Sequence, residues 1–428
     1  MSKYLMPCLL VIMMSLYIFP VTFTFFPMAN SKMVMAFVGL IILFFGAVSK
    51  RSIHMWKDVI VMVALSILIS LIGMASMSMN NTNDNSYATY FVSMTVWLVA
   101  AYVVCISIYK THGSVSTKLV CLYFIAVCIC QCIIALGVEF NNDFKVFVDA
   151  LAIQDQEALT KGNRMYGFGA SLDTAGIRFS ISLIMIVYLA CTDESSASTG
   201  STVFYVIAFS LISVVGNMVA RTTLVGVIIS LVLLLFLKRN TWMLFNFRVV
   251  LIALTLFTLS SIWVIYLYNN NEEVYDLIRF GFEPFFNYFG GGDFATSSNE
   301  MLRHMYVFPD NFKTWIIGDG YFNNPNTHDP YYVGQSSVQG FYMGTDVGYL
   351  RLIFYFGLIG LLTFMIFLVH VTQSCCRHIP EDKILFVSIL VLGFIIWFKV
   401  ATDLFFVMAL FICMANMSHR DDEKKIES

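Results

Sequence analysis

The chain has 428 residues, 59% of them hydrophobic and only 12% charged, with a formal net charge of −2. Soluble domains carry about 25% charged residues, so this composition excludes a soluble globular fold. The near-neutral balance gives no basic surface for a nucleic-acid partner.

Apolar runs near the ~20-residue length that crosses a bilayer recur along the chain. Twelve are recognisable, at about 5–26, 33–48, 59–79, 89–109, 119–138, 174–191, 202–219, 222–237, 249–268, 345–373, 384–398 and 402–417. They predict an all-α, polytopic membrane protein with about 12 transmembrane helices. The first run is longer than the h-region of a signal peptide and no A-x-A-like site follows it, so it is expected to be a retained span. Only Ala220, Arg221 and Thr222 separate the seventh and eighth runs, and the last two are short enough for a tightly turned hairpin.

Lys and Arg in the short loops set orientation. With a cytoplasmic N-terminus, the inside segments hold Lys3, Lys50, Arg51, Lys57, Lys110, Lys118, Lys238, Arg239, Arg248, Arg377, Lys383, Arg420, Lys424 and Lys425, which is 14 of the 25. Both termini are then cytoplasmic. None of the ten cysteines falls in a segment placed outside, where an oxidising compartment would pair them. Cys128, Cys130 and Cys132 are spread around a helix by their spacing and read as small apolar filler, not as metal ligands.

No internal repeat divides the chain, so residues 1–428 read as one integral membrane domain with two long outside loops, 139–173 and 269–344. The second follows span nine and precedes span ten. It is 76 residues long and holds 18 aromatics, too many for a disordered segment. It is expected to form short helices at the outer interface. Phe280, Phe282, Phe285, Phe286, Tyr288 and Phe289 suit an aromatic belt at the headgroups. Tyr306, Trp315, Tyr321, Tyr331, Tyr332 and Tyr342, set among Gly, Asn and Asp, equally suit stacking on sugar rings.

Ionisable residues within spans are costly, and each marks a candidate site. They are Asp173, Arg178, Arg221, Asp346, Arg351, Lys399 and Asp403, all near the outer surface in this topology. One arginine at that depth can simply snorkel to headgroups or pair with an acid. Four of them, Arg164, Arg221, Arg303 and Arg351, suit a lipid-linked diphosphate, because the guanidinium fork stays charged and matches anionic oxygens. In the stretch GTDVGYLRLIFYFGLIG, a helical wheel puts Asp346, Ile353, Gly357 and Gly360 on one face, with the glycines admitting a neighbouring helix. The same wheel sets Arg351 about 140° from Asp346, which argues against a pair between them, and leaves Tyr349 to support the acid.

Four segments resemble those of Wzy-type O-antigen polymerases, within the O-antigen ligase and polymerase superfamily. They are GTDVGYLRLIFYFGLIGLL at the outer end of span ten, WIIGDGYF (315–322), VARTTLVGVIISL (219–231) and RMYGFGASLDTAG (164–176). Ala220 stands where many relatives carry Ser, and Leu172-Asp173 where Pro-Asn is common. The resemblance implies a GT-C-type glycosyltransferase of the bacterial inner membrane with its active site facing the periplasm. Its substrate would be a polyprenyl-diphosphate-linked oligosaccharide. The growing glycan passes to a second lipid-linked repeat unit, with a separate chain-length regulator as a further partner. An acceptor hydroxyl attacks the anomeric carbon and diphosphate leaves. Arg164 and Arg221, with Arg303 or Arg351, would stabilise the leaving group. Asp346, His328 or Asp319 would take the proton. His328, in NPNTHDPYY, is alternatively a solvated loop residue. The outer loops carry no DxD-like acidic pattern, so a metal-independent reaction without a cofactor is expected. The alternatives are the O-antigen ligase, which transfers glycan to lipid A-core, and a polysaccharide flippase.

Overall fold

The computed structural model describes residues 2–50, 57–153, 164–193, 198–237, 266, 268–291, 297–324 and 340–427. Among them the chain is helical, with three isolated bridges and no strand. The first helices are α1 (Ser2–Ile18), α2 (Ser31–Lys50), α3 (Lys57–Asn80), α4 (Tyr90–His112), α5 (Thr117–Phe140) and α6 (Asn142–Leu151). There follow α7 (Leu172–Thr192), α8 (Thr199–Val219), α9 (Thr223–Phe236), α10 (Glu272–Gly281) and α11 (Glu283–Phe289). The last are α12 (Ser297–His304), α13 (Phe312–Ile316), α14 (Gly348–His378), α15 (Lys383–Ile396) and α16 (Phe405–Glu427).

Six of these helices, α3, α4, α5, α7, α8 and α14, are long and apolar enough to cross a membrane, the build of a polytopic membrane protein. Leu5–Ile18, Ser31–Gly46, α9 and Phe405–Met417 are shorter apolar helices. Most of the ninth predicted run, 249–268, lies outside the described residues. The first run is corrected: its helix ends at Ile18, not near 26. Pro20 offers no N–H and forces Phe19 out of helical geometry. The long loops contain short helices, and local polar caps start them. Asn141 accepts from Phe144 N (3.0 Å), Asn271 from Val274 N (3.1 Å) and Asn311 from Thr314 N (2.8 Å).

The chain forms two compact units, Met1–Met35 with Val104–Ala295, and Ala36–Val103 with Thr296–Ser428. In the first, α7 is the central helix. It is apolar on all sides, and 83% of its span is buried, so its neighbours cover it almost completely. Gly226 of α9 lies so close to Ser180 of α7 that a Cβ would strike the Ser180 backbone. Gly216 of α8 similarly leaves room for Phe179 and Thr223. These small residues let apolar helices approach where burial from water supplies no drive between them.

In the second unit, α14 is broken. Phe356 (φ −140°, ψ 20°) and Gly357 (φ 68°, ψ −171°) leave helical geometry in the middle of it. The break releases carbonyls that would otherwise bond one turn on, and a Gly-Asp-Gly turn takes them up. Asp319 N donates to Phe354 O (2.6 Å) and Gly320 N to Tyr355 O (3.1 Å), while Ser76 Oγ of α3 also donates to Tyr355 O (2.7 Å). The turn is held from α3 as well: Asn80 Nδ2 donates to Gly318 O (3.0 Å) and Thr82 Oγ1 to Gly320 O (3.0 Å). Gly318 (φ 84°) and Gly320 (φ 75°) supply the left-handed geometry that the turn needs.

The wheel assignment for Gly357 and Gly360 is corrected by this break. Gly357 faces the Ile316 carbonyl at the end of α13, and the space at Gly360 is filled by the Phe356 ring of the same helix. Gly357 thus admits the end of the short helix α13, whereas Gly360 receives no neighbouring helix. Gly357→Ala places a Cβ on the Ile316 carbonyl at positive φ, so it should destabilise the fold by at least about 1–3 kcal/mol. Gly46→Ala, with no atom near its Cβ position, should be neutral. The thermal midpoint of the monodisperse peak in detergent measures both; equal midpoints would remove the constraint at Gly357.

Candidate functional site

In the first unit, Arg221 sits in the three-residue turn between α8 and α9. Ala220 N closes α8 on Gly216 O (2.8 Å), and Leu224 N returns to Arg221 O (3.0 Å), so the side chain leaves the turn at the end of both helices. Its Nε donates to Phe280 O (2.9 Å), and a terminal nitrogen pairs with Glu283 Oε2 (2.6 Å). Its guanidinium carbon lies 4.1 Å from the centre of the Phe280 ring. Asn217 Nδ2 donates to Gly281 O (2.5 Å), which ties the junction of α10 and α11 to the same helix end.

Arg164 reaches the same ring, with its guanidinium carbon 5.3 Å from the centre. It is half-buried and makes no hydrogen bond or ion pair among the described residues. Two cations therefore share one aromatic ring, and Glu283 pairs with one of them, Arg221. Rings and carboxylates both favour cations, and the two guanidiniums lie together on Phe280 in a partly buried place. A doubly charged anion with several acceptor oxygens suits it. Asp173, in the first turn of α7, accepts a hydrogen bond from Thr222 Oγ1, beside Arg221 in sequence. Arg178 is occupied inside the unit, donating to Ile18 O and to Thr174 O (2.5 Å).

In the second unit, Asp346 and Arg351 are paired, with Nη1 to Oδ1 at 3.2 Å. The expectation that they would not pair is corrected. Asp346 precedes α14, which starts at Gly348, so the 100° helical increment does not apply to it. Tyr349 is also corrected as the support of Asp346. Its hydroxyl donates to Phe394 O (3.0 Å), and its ring packs on Trp397 (5.4 Å) and Phe398 (5.1 Å).

Arg351 is only 7% exposed. Besides Asp346 it donates through Nη2 to Phe322 O (3.1 Å) and Asn323 Oδ1 (2.8 Å), and the rings of Phe322 (3.7 Å) and Phe341 (4.7 Å) cover its plane. Arg303, in α12, is exposed. His328, Tyr331 and Tyr332 lie outside the described residues. Among the flagged charges, Asp403 accepts from Tyr90 Oη (3.0 Å) and from Phe405 N (2.8 Å) at the start of α16.

Asp319 lies in the Gly-Asp-Gly turn, outside the long apolar helices. It accepts from Thr314 Oγ1 (2.6 Å) and Tyr342 Oη (3.3 Å). Burial raises its carboxyl above the ordinary 3.8, and these two hydroxyls oppose that rise by bonding the charged form.

Residues that the sequence reading passed over complete both clusters. Glu283 is the acid within the aromatic run FGFEPFF. Asp84, in NTNDNS, accepts from Phe322 N (2.9 Å) and Asn323 N (3.0 Å) with one oxygen and from Ser86 N (3.0 Å) with the other. Asn and Asp clustered between two spans are a turn signal, and an acid there is a candidate for capping distant backbone. Neither acid lies in one of the twelve predicted spans, so the cost of burial in lipid does not single it out.

The raised Asp319 carboxyl has a consequence for stability. Its contribution is fully present below the unfolded value near 3.8 and is lost as pH rises through the higher folded value. Asp319→Asn cannot titrate. Its thermal midpoint relative to wild type should therefore rise as pH increases through that window and then level off. A constant difference across a pH series in detergent would contradict the raised carboxyl.

Comparisons of this chain with protein-family models, with curated proteins and with solved structures find no match.

Proposed function

We propose that this chain is a Wzy-type polysaccharide polymerase. In this reading about 12 helices span the bacterial inner membrane, both termini are cytoplasmic, and the reaction takes place at the periplasmic face. The growing glycan moves from polyprenyl diphosphate to a second lipid-linked repeat unit. The acceptor hydroxyl oxygen bonds to the anomeric carbon, the bond from that carbon to the phosphate oxygen breaks, and the hydroxyl proton passes to a base.

The observation that carries this reading is the convergence of Arg164 and Arg221 on the Phe280 ring, with Glu283 paired to Arg221. A leaving diphosphate gains negative charge as the bond breaks, and fixed cations in a partly buried site stabilise that charge with little reorganisation. The Arg164 guanidinium has no partner of its own among the described residues, which fits a ligand-facing group. The four motif segments add their resemblance to this. The resemblance offers Asp346, His328 or Asp319 as the group that takes the proton; burial makes Asp319 a stronger base than an ordinary aspartate.

The ligase is the second reading, because the same donor serves it and only the acceptor differs. A flippase would not need lipid-linked repeats to lengthen. Two experiments decide among them. A strain lacking the gene should carry lipopolysaccharide capped with single repeats if the chain is the polymerase, and long glycan stranded on the lipid carrier if it is the ligase. Purified protein in liposomes should lengthen lipid-linked repeats without any gradient; transport without lengthening would leave the flippase.

Within the polymerase reading, Arg164→Ala and Arg221→Ala should each slow chain growth by about 100-fold or more. Arg164→Ala should leave abundance unchanged. Arg221→Ala strands Glu283, so it is paired with Arg221→Ala/Glu283→Gln to hold the fold constant. Arg221→Lys should rescue poorly, since an ammonium cannot replace the fork. Wild-type elongation by either alanine variant would take that arginine out of the site.

A further inference from the structure

Arg351 is a buried arginine whose bonds are all to the protein. Nη1 holds Asp346, Nη2 holds the Phe322 carbonyl and the Asn323 side chain, and the Phe322 and Phe341 rings stack over its plane. Nε is buried with no partner. A guanidinium grips phosphate with two parallel N–H groups on one edge. Here both terminal nitrogens are taken up and aromatic rings lie over the plane, so no open fork remains for an anion.

The groups that Arg351 grips share a second feature. Asn323 and Phe341 form an antiparallel bridge, and Asn324 N donates to Gly340 O (2.8 Å). These residues are the two ends of the segment 325–339. From the other side, the Asp84 carboxylate takes the N–H groups of Phe322 and Asn323, and Tyr355 of α14 donates its hydroxyl to Asp84 O (2.7 Å). The bridge is therefore held by an acid from the loop between α3 and α4 and by an arginine from the first turn of α14. Arg351 also carries Asp346 in the same grip.

We propose that Arg351 is a positioning residue, which clamps the Asn323–Phe341 bridge shut, and that it does not bind the lipid diphosphate. Lysine is a poor substitute, because a compact ammonium has no plane to lay on the two rings while its donors reach the Phe322 and Asn323 oxygens. The effect of the clamp on chain growth rests on the polymerase reading; the clamp itself does not.

A covalent staple separates these roles. Bridge partners in antiparallel chains have Cα atoms about 4.5–5.5 Å apart, within the range of about 4.4–6.8 Å that a disulfide accepts. The variants are Asn324→Cys/Gly340→Cys, the next opposed pair, which keeps every group that Arg351 touches, with Arg351 intact, with Arg351→Lys and with Arg351→Ala. Linked peptides are identified by mass spectrometry, which distinguishes them from the ten native thiols. With Arg351 intact the disulfide should form quickly on oxidation, and both Arg351 substitutions should slow it several-fold. Equal rates would overturn the clamp, whatever the protein's activity.

Elongation in liposomes supplies the second readout. Arg351→Ala should lose about 100-fold, the scale of a misplaced reacting group. The stapled Arg351→Ala variant should return to within a few-fold of the stapled protein that keeps Arg351, and lose that gain on reduction. A variant that forms the disulfide yet stays as slow as Arg351→Ala would show that the arginine acts on substrate, overturning the proposal. Absence of elongation in wild type would instead count against the polymerase reading, while the cross-linking rates still decide the clamp.

Discussion

The carbonyls of Phe354 and Tyr355 are the constraint around which the second unit is arranged. A helix that breaks inside an apolar span exposes backbone acceptors where lipid offers no donor, so the break survives only if protein supplies the donors. The Gly318-Asp319-Gly320 turn supplies two of them and Ser76 a third. Gly357 is the only residue type that suits the positive φ there and the close Ile316 carbonyl. Once the turn is seated, Tyr321 packs on Tyr342, Phe322 enters the aromatic surroundings of Tyr87 and Tyr355, and the bridge to Phe341 comes within reach of Arg351.

Two arginine arrangements show how a buried guanidinium is tolerated. Arg351 has an acid, a carbonyl, an amide oxygen and two rings around it, enough to hold a charge at 7% exposure. Arg221 has a carbonyl, an acid and one ring, and shares that ring with Arg164. The first set is closed around its cation. The second leaves Arg164 with a ring but no acid among the described residues, and this difference directs the functional reading toward an anionic ligand in the first unit.

Much of this architecture was legible in the apolar runs. Eleven of the twelve predicted runs fall on a helix among the described residues, because a continuous apolar stretch has few alternatives in lipid. The shortened first helix followed from Pro20, a local signal given too little weight. The pairing of Asp346 with Arg351 was not legible. A wheel assumes one helix through both residues, and α14 begins between them. Nor was the convergence of Arg221 on Phe280, since 59 residues separate them and most of the intervening sequence is apolar.

The sequence by itself determined the helical class, the apolar stretches and the short list of charges that a membrane protein would not carry without reason. Those follow from solvation, which each residue meets almost independently of the others. Only the tertiary structure decided which of those charges is enclosed and which is offered. That depends on carbonyls released by one helix break and on rings brought from distant segments, and neither is encoded in the hydropathy of the residues concerned.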